Sequence, residues 1–132
     1  MKGLDTNALV RFLVRDDEVQ AEAVHRVLRK AEQGREVFFV PLLVVLETCW
    51  VLDAVYEIPR DEIIDAFMML LLMPTLRFEA PSVLQRVMAR AKDIPSDLAD
   101  LLIADSARQS GCESVLSFDK RAAKQGVFEA LL

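Results

Sequence analysis

Asp5, Glu47, Asp100 and Asp119 are the residues whose type and surroundings could do chemistry. Asp5 closes the opening segment Lys2-Gly3-Leu4. Glu47 falls inside the apolar run Leu42 to Leu52. Asp100 precedes Leu101-Leu102-Ile103-Ala104, and Asp119 follows Ser117-Phe118. An ionised carboxylate in apolar surroundings loses hydration at high cost. Several converging carboxylates also repel, each raising the others' pKa. A divalent cation resolves both problems. Oxygen-only donors suit magnesium or manganese better than zinc or copper, and the chain offers no Cys/His cluster. Such a cation lowers the pKa of water and stabilises in-line displacement at phosphorus. Phosphodiester hydrolysis is the chemistry that fits these acids, because no organic nucleophile is evident beside them.

Each position also has a structural reading. Asp5 could be the N-cap of the helix after the first strand. Asp97 and Asp100 could supply a cap and an acid at position N3, and for Asp97 this reading is favoured. Asp119 could cap the short helix at Lys120. Glu47 could belong to an exposed stripe with Asp53 and Glu57. Asp105 lies about 140° around the helix from Asp100 and is expected to point elsewhere.

The elements that must position these acids follow from periodicity. Lys2 to Leu4 reads as a strand and Asn7 to Val14 as a helix. Asp16 or Asp17 caps a second helix to about Gln33, with Gly34 as its stop. Glu36 to Val40 is a strand by its β-branched and aromatic content. Pro41 opens a helix through about Tyr56. Asp61 caps a helix to Met73, and Leu76 to Phe78 is a third strand. Ser82 caps a helix to Lys92. Ser96 or Asp97 caps the next, which runs to Ser110 and stops at Gly111. Ser114 to Leu116 is a fourth strand, Lys120 to Lys124 a helical turn, and Val127 to Leu132 an edge strand. Strand–helix alternation implies an α/β fold with a parallel sheet and helices on both faces. Ligands bind such sheets beyond the carboxyl ends of the strands, where Asp5 and Asp119 fall.

The 132 residues fit one domain, residues 1–132, with one core. The 53% hydrophobic content and mean hydropathy of +0.25 can fill that core without cross-links. Neither apolar run, Val37 to Leu46 or Phe67 to Met73, reaches the roughly 20 residues of a membrane span. No basic-then-apolar leader precedes the first strand. Cys49 and Cys112 suggest neither a disulfide framework nor a zinc site. A cytoplasmic, non-membrane protein is expected. The net charge of −5 argues against nucleic-acid binding by bulk attraction. It does not exclude an enzyme whose acids are gathered at a metal.

Asp5-Thr6-Asn7 after a short N-terminal strand resembles the opening motif of PIN-domain nucleases. Leu46-Glu47-Thr48-Cys49-Trp50-Val51-Leu52 is similar to the second motif of that family. Asp97-Leu98-Ala99-Asp100-Leu101-Leu102-Ile103-Ala104 resembles the third, and Ser117-Phe118-Asp119 the fourth. The four occur in order along nearly the whole chain, and the length resembles the VapC branch, the toxin half of toxin–antitoxin pairs. The resemblance implies a three-layer α/β/α sandwich around a central parallel sheet, and a Mg2+- or Mn2+-dependent endoribonuclease. It implies that Asp5, Glu47 and Asp100 are metal ligands or their direct supports, with Asp119 completing the site. Thr6, Asn7, Asp97 and Ser117 become supporting residues. A cognate antitoxin, a homodimer and an RNA substrate are the implied partners.

RNA needs cations near the acids. The candidates are Arg11, Arg15, Lys120, Arg121 and Lys124, each of which would touch phosphate without reading bases. For any one of them a solvated helix face is the competing role. His25 is expected at the surface and Trp50 in the core or an interface. The Met/Leu-rich segment 61–73 is expected to pack in the core, the alternative being an interface. Two other functions compete. One is a non-catalytic PIN-like module that binds RNA or protein. The other is a different metal-dependent phosphohydrolase, but the second aspartate a dehalogenase-type enzyme wants is Asn7 here. No glycine-rich phosphate loop is present.

Overall fold

A computed structural model describes residues 1–132 and resolves into two compact units, Met1–Pro81 and Ser82–Leu132. The chain is α/β, and every strand pairing in it is parallel.

The first unit runs β1 (Lys2–Gly3), α1 (Thr6–Leu13), α2 (Glu18–Gly34), β2 (Phe38–Val40), α3 (Leu42–Ala54), α4 (Arg60–Leu71) and β3 (Leu76–Phe78). Its sheet has the order β1-β2-β3, with Lys2 opposite Phe38 and Phe39 opposite Arg77. Parallel neighbours need a crossover, and each crossover here is a pair of helices, α1–α2 and then α3–α4. Val40 at the sheet centre is fully buried. Leu9, Val45, Leu52, Ile63 and Phe67 from the helices fill the core around it.

Aspartates start the first two helices. The Ala8 N–H donates to Asp5 Oδ1 at 2.9 Å, and the Gln20 N–H to Asp17 Oδ1 at 3.0 Å. Such caps satisfy otherwise unpaired amide donors. The stop of α2 falls one residue later than Gly34 predicts. Arg35 takes the left-handed conformation at φ 55°, and its N–H returns to the Ala31 carbonyl. Asp61 is not a cap either. Pro59 precedes α4, and Asp61 lies in its first turn, where the helix dipole favours an acid.

The second unit contains α5 (Pro81–Ala91) from its second residue on, then α6 (Leu98–Gln109), β4 (Leu116–Ser117), α7 (Lys120–Lys124) and β5 (Glu129–Ala130). Leu116 pairs with Glu129 and Ser117 with Ala130 across the single-helix crossover α7. Leu84, Val87 and Met88 of α5 are buried, as are Leu101 and Leu102 of α6. Ser82 does not cap α5. It is the helix's second residue, and its hydroxyl donates to Gln109 Oε1 at 3.1 Å. Asp105 is only 2% exposed. It accepts from Arg86 Nη2 at 2.8 Å and Nε at 3.1 Å, so it does point away from the acids near the helix start.

Three further expectations change. His25 is half-buried. It stacks on Phe12 with ring centroids 4.5 Å apart, and its Nε2 is buried without a partner. Trp50, expected in the core or an interface, is 58% exposed, which rules out only the core. Segment 61–73 is divided: Ile63, Ile64, Phe67 and Leu70 are buried, whereas Met69 and Leu72 face outward.

The two thiols differ sharply. Cys49 is buried on α3, and burial pushes its thiol up to about 12, whereas Cys112 is exposed. The thiolate is the reactive form. Native protein is therefore expected to show one fast-reacting thiol towards a disulfide reagent and the second only on unfolding. Two fast thiols would contradict this placement of α3.

Candidate functional site

In the first unit Asp5 sits at the junction of β1 and α1, exposed, with one carboxylate oxygen engaged by the Ala8 amide. Thr6 beside it is half-buried and Asn7 exposed. Glu47 lies on α3 and is exposed, between the outward-facing Leu43 and Trp50 at helical spacing. Its apolar neighbours in sequence therefore do not desolvate it, and Glu47 carries no burial cost that a cation would have to offset. Asp53 and Glu57 are exposed as well.

In the second unit the chain brings Asp97, Asp100 and Asp119 to one small cleft, with Ser96, Arg121 and Gln125 on its walls. Asp97 occupies the N-cap position of α6, yet its side chain makes no capping bond. The favoured capping role is thus absent, and the Asp97 carboxylate is not committed to the helix start. Asp100 is half-buried in the first turn. The helix dipole favours its ionised form, but burial pushes its pKa up, and the charges of Asp97 and Asp119 push in the same direction. Asp119 caps α7 through Oδ1, which accepts from the Ala122 N–H at 3.0 Å. Its own N–H donates to Ser117 Oγ at 3.0 Å, so Ser117 fixes the turn that presents the acid.

Oxygen-only donors around a half-buried carboxyl with a raised pKa match the chemistry of magnesium or manganese. The fit is one of donor type. No three His, Cys, Asp or Glu side chains are gathered into a set that could hold a metal ion.

The cations divide. Arg11 is engaged inside the fold: Nε donates to Gln20 Oε1 at 2.7 Å, and Nη1 donates to Asp16 Oδ1 at 3.0 Å and to the Tyr56 hydroxyl at 2.8 Å. Hydrogen bonding to Tyr56 leads in raising its pKa. Arg15 pairs with Glu18 at 3.2 Å and Glu22 at 3.8 Å. Lys120, Arg121 and Lys124 are exposed on α7, and Arg121 reaches the acidic cleft. The bond between Ser96 and Gln125 on that cleft was not legible in the sequence, because the two residues lie 29 apart in the chain.

The sequence matches the family described as PIN domain over residues 3–127. It is 26% identical over 126 residues to a VapC ribonuclease of Aquifex aeolicus (strain VF5), covering 96% of this chain and 93% of that protein. No solved structure matches it.

Proposed function

The chain belongs to the PIN-domain family, and from that premise we propose that it is a magnesium- or manganese-dependent endoribonuclease whose working carboxylates are Asp5, Glu47, Asp100 and Asp119. The observation that carries this reading is the shared cleft of Asp97, Asp100 and Asp119, with Asp100 held above the usual carboxylate range. When bound, a divalent cation supplies positive charge to the phosphodiester oxygens and acidity to water. Asp100 and Asp119 hold that charge, and Asp97 supports them. Ser117 orients the turn bearing Asp119, and Thr6 and Asn7 support Asp5. Arg121 and Lys120 draw the RNA backbone to the cleft as phosphate contacts.

Similarity to a VapC ribonuclease over almost the full length of both chains supports the finer reading. In it the protein is the toxin of a toxin–antitoxin pair, a homodimer held inactive by a cognate antitoxin in the cytoplasm. No helix is long and apolar enough to cross a membrane.

The test is cleavage of single-stranded RNA with Mg2+ or Mn2+, with and without EDTA. Cleavage abolished by EDTA and restored by excess metal is expected. Cleavage indifferent to EDTA contradicts a metal mechanism. A second reading, a PIN-like module that binds RNA or protein without cutting, is favoured by the absence of a gathered three-acid set. Binding of RNA with no cleavage under any metal supports that reading instead.

A further inference from the structure

Ser96 is 4% exposed and stands directly before Asp97. Its hydroxyl donates to Oε1 of Gln125. Gln125 is the C-cap of α7, the five-residue helix whose N-cap is Asp119. A side-chain bond thus joins the segment that carries Asp97 and Asp100 to the helix that begins at Asp119. These segments carry like charges into one cleft, and α7 is too short to hold its own orientation by helix cooperativity. Ser96 does not fit a solvent-facing role, because a buried hydroxyl keeps its place only when bonded, and half-buried Gln125 supplies that partner.

We propose that Ser96 and Gln125 are positioning residues, whose hydrogen bond holds α7 against the start of α6 and so sets the spacing between Asp100 and Asp119, the two carboxylates of this cleft that would hold a divalent cation. This rests on the metal-dependent reading above. The bond acts through the carboxylates, and neither residue need touch metal or RNA. Partners that hydrogen-bond a metal ligand directly are worth roughly 10–100-fold in metal affinity, and a bond one step further out is expected near the lower end of that range.

The test is a Mn2+ titration by calorimetry on the full chain, with thermal melts alongside. Ser96→Ala and Gln125→Met are each expected to weaken Mn2+ binding by roughly tenfold or more. The double variant should be no weaker than either single. Ser96→Thr, which keeps the hydroxyl, should bind close to wild type. Variants with lowered Tm but wild-type Mn2+ affinity reduce the bond to a structural contact and overturn the proposal. A wild type that binds no Mn2+, with or without an RNA oligonucleotide, overturns the metal reading and this inference with it. The two failures are therefore distinguishable.

Discussion

Replacing Asp100 with Asn is expected to lower metal-dependent RNA cleavage by at least about 100-fold, on the scale of lost metal-site contacts, while making the metal-free protein more stable at neutral pH. The side chain keeps its shape and loses its charge. Burial, reinforced by Asp97 and Asp119, raises the pKa of Asp100 in the folded state. The folded chain therefore holds this proton more tightly than the unfolded chain does. Stability falls as pH rises from the unfolded value through the folded one. Below the ordinary carboxylate pKa of about 3.9 both states are protonated and the cost vanishes. Melts of wild type and Asp100→Asn should separate at pH 7, with the variant higher, and converge as the pH approaches that value. A variant less stable at pH 7 would mean that Asp100 serves the helix start more than the cleft.

Arg86→Met is expected to lower the Tm by on the order of 5 °C or more, because it leaves a buried carboxylate without its counter-charge. The Asp105 side chain is 3% exposed and that of Arg86 49%. The asymmetry decides the direction: the arginine can regain water when its partner is lost, and the aspartate cannot. Hydrogen bonding to Asp105 raises the pKa of Arg86. Arg86 Nη2 also donates to Gln109 Oε1 at 2.8 Å, the atom that accepts from Ser82. Asp105→Asn should therefore cost less than Arg86→Met. Changing both partners to apolar residues should recover most of the loss, since apolar replacement of a buried pair is often neutral. Thermal melts followed by circular dichroism measure all three. An Arg86→Met protein as stable as wild type would contradict the burial assigned to Asp105.

The sequence was most informative where signals are local. The aspartates at 5, 17 and 119 cap the helices that follow them. The β-branched and aromatic run at Phe38–Val40 is a buried strand. The motif acids Asp97, Asp100 and Asp119 share a cleft. It was least informative where a side chain answers a partner far along the chain. Arg11 looks like a free cation on a helix face, but its Tyr56 partner is 45 residues away. His25 sits among charged neighbours in sequence and still packs on Phe12. Apolar composition also hid the outward side of α3, where Leu43 and Trp50 flank an exposed Glu47. A helix that is apolar nearly all round gives no periodicity from which to read its buried side.

The central claim is that these carboxylates bind a divalent cation. A Mn2+ titration of wild type beside Asp100→Asn tests it most directly. Saturable binding to the wild type that is lost in the variant is the predicted result. Equal binding by both, or none by either even with an RNA oligonucleotide present, would contradict it.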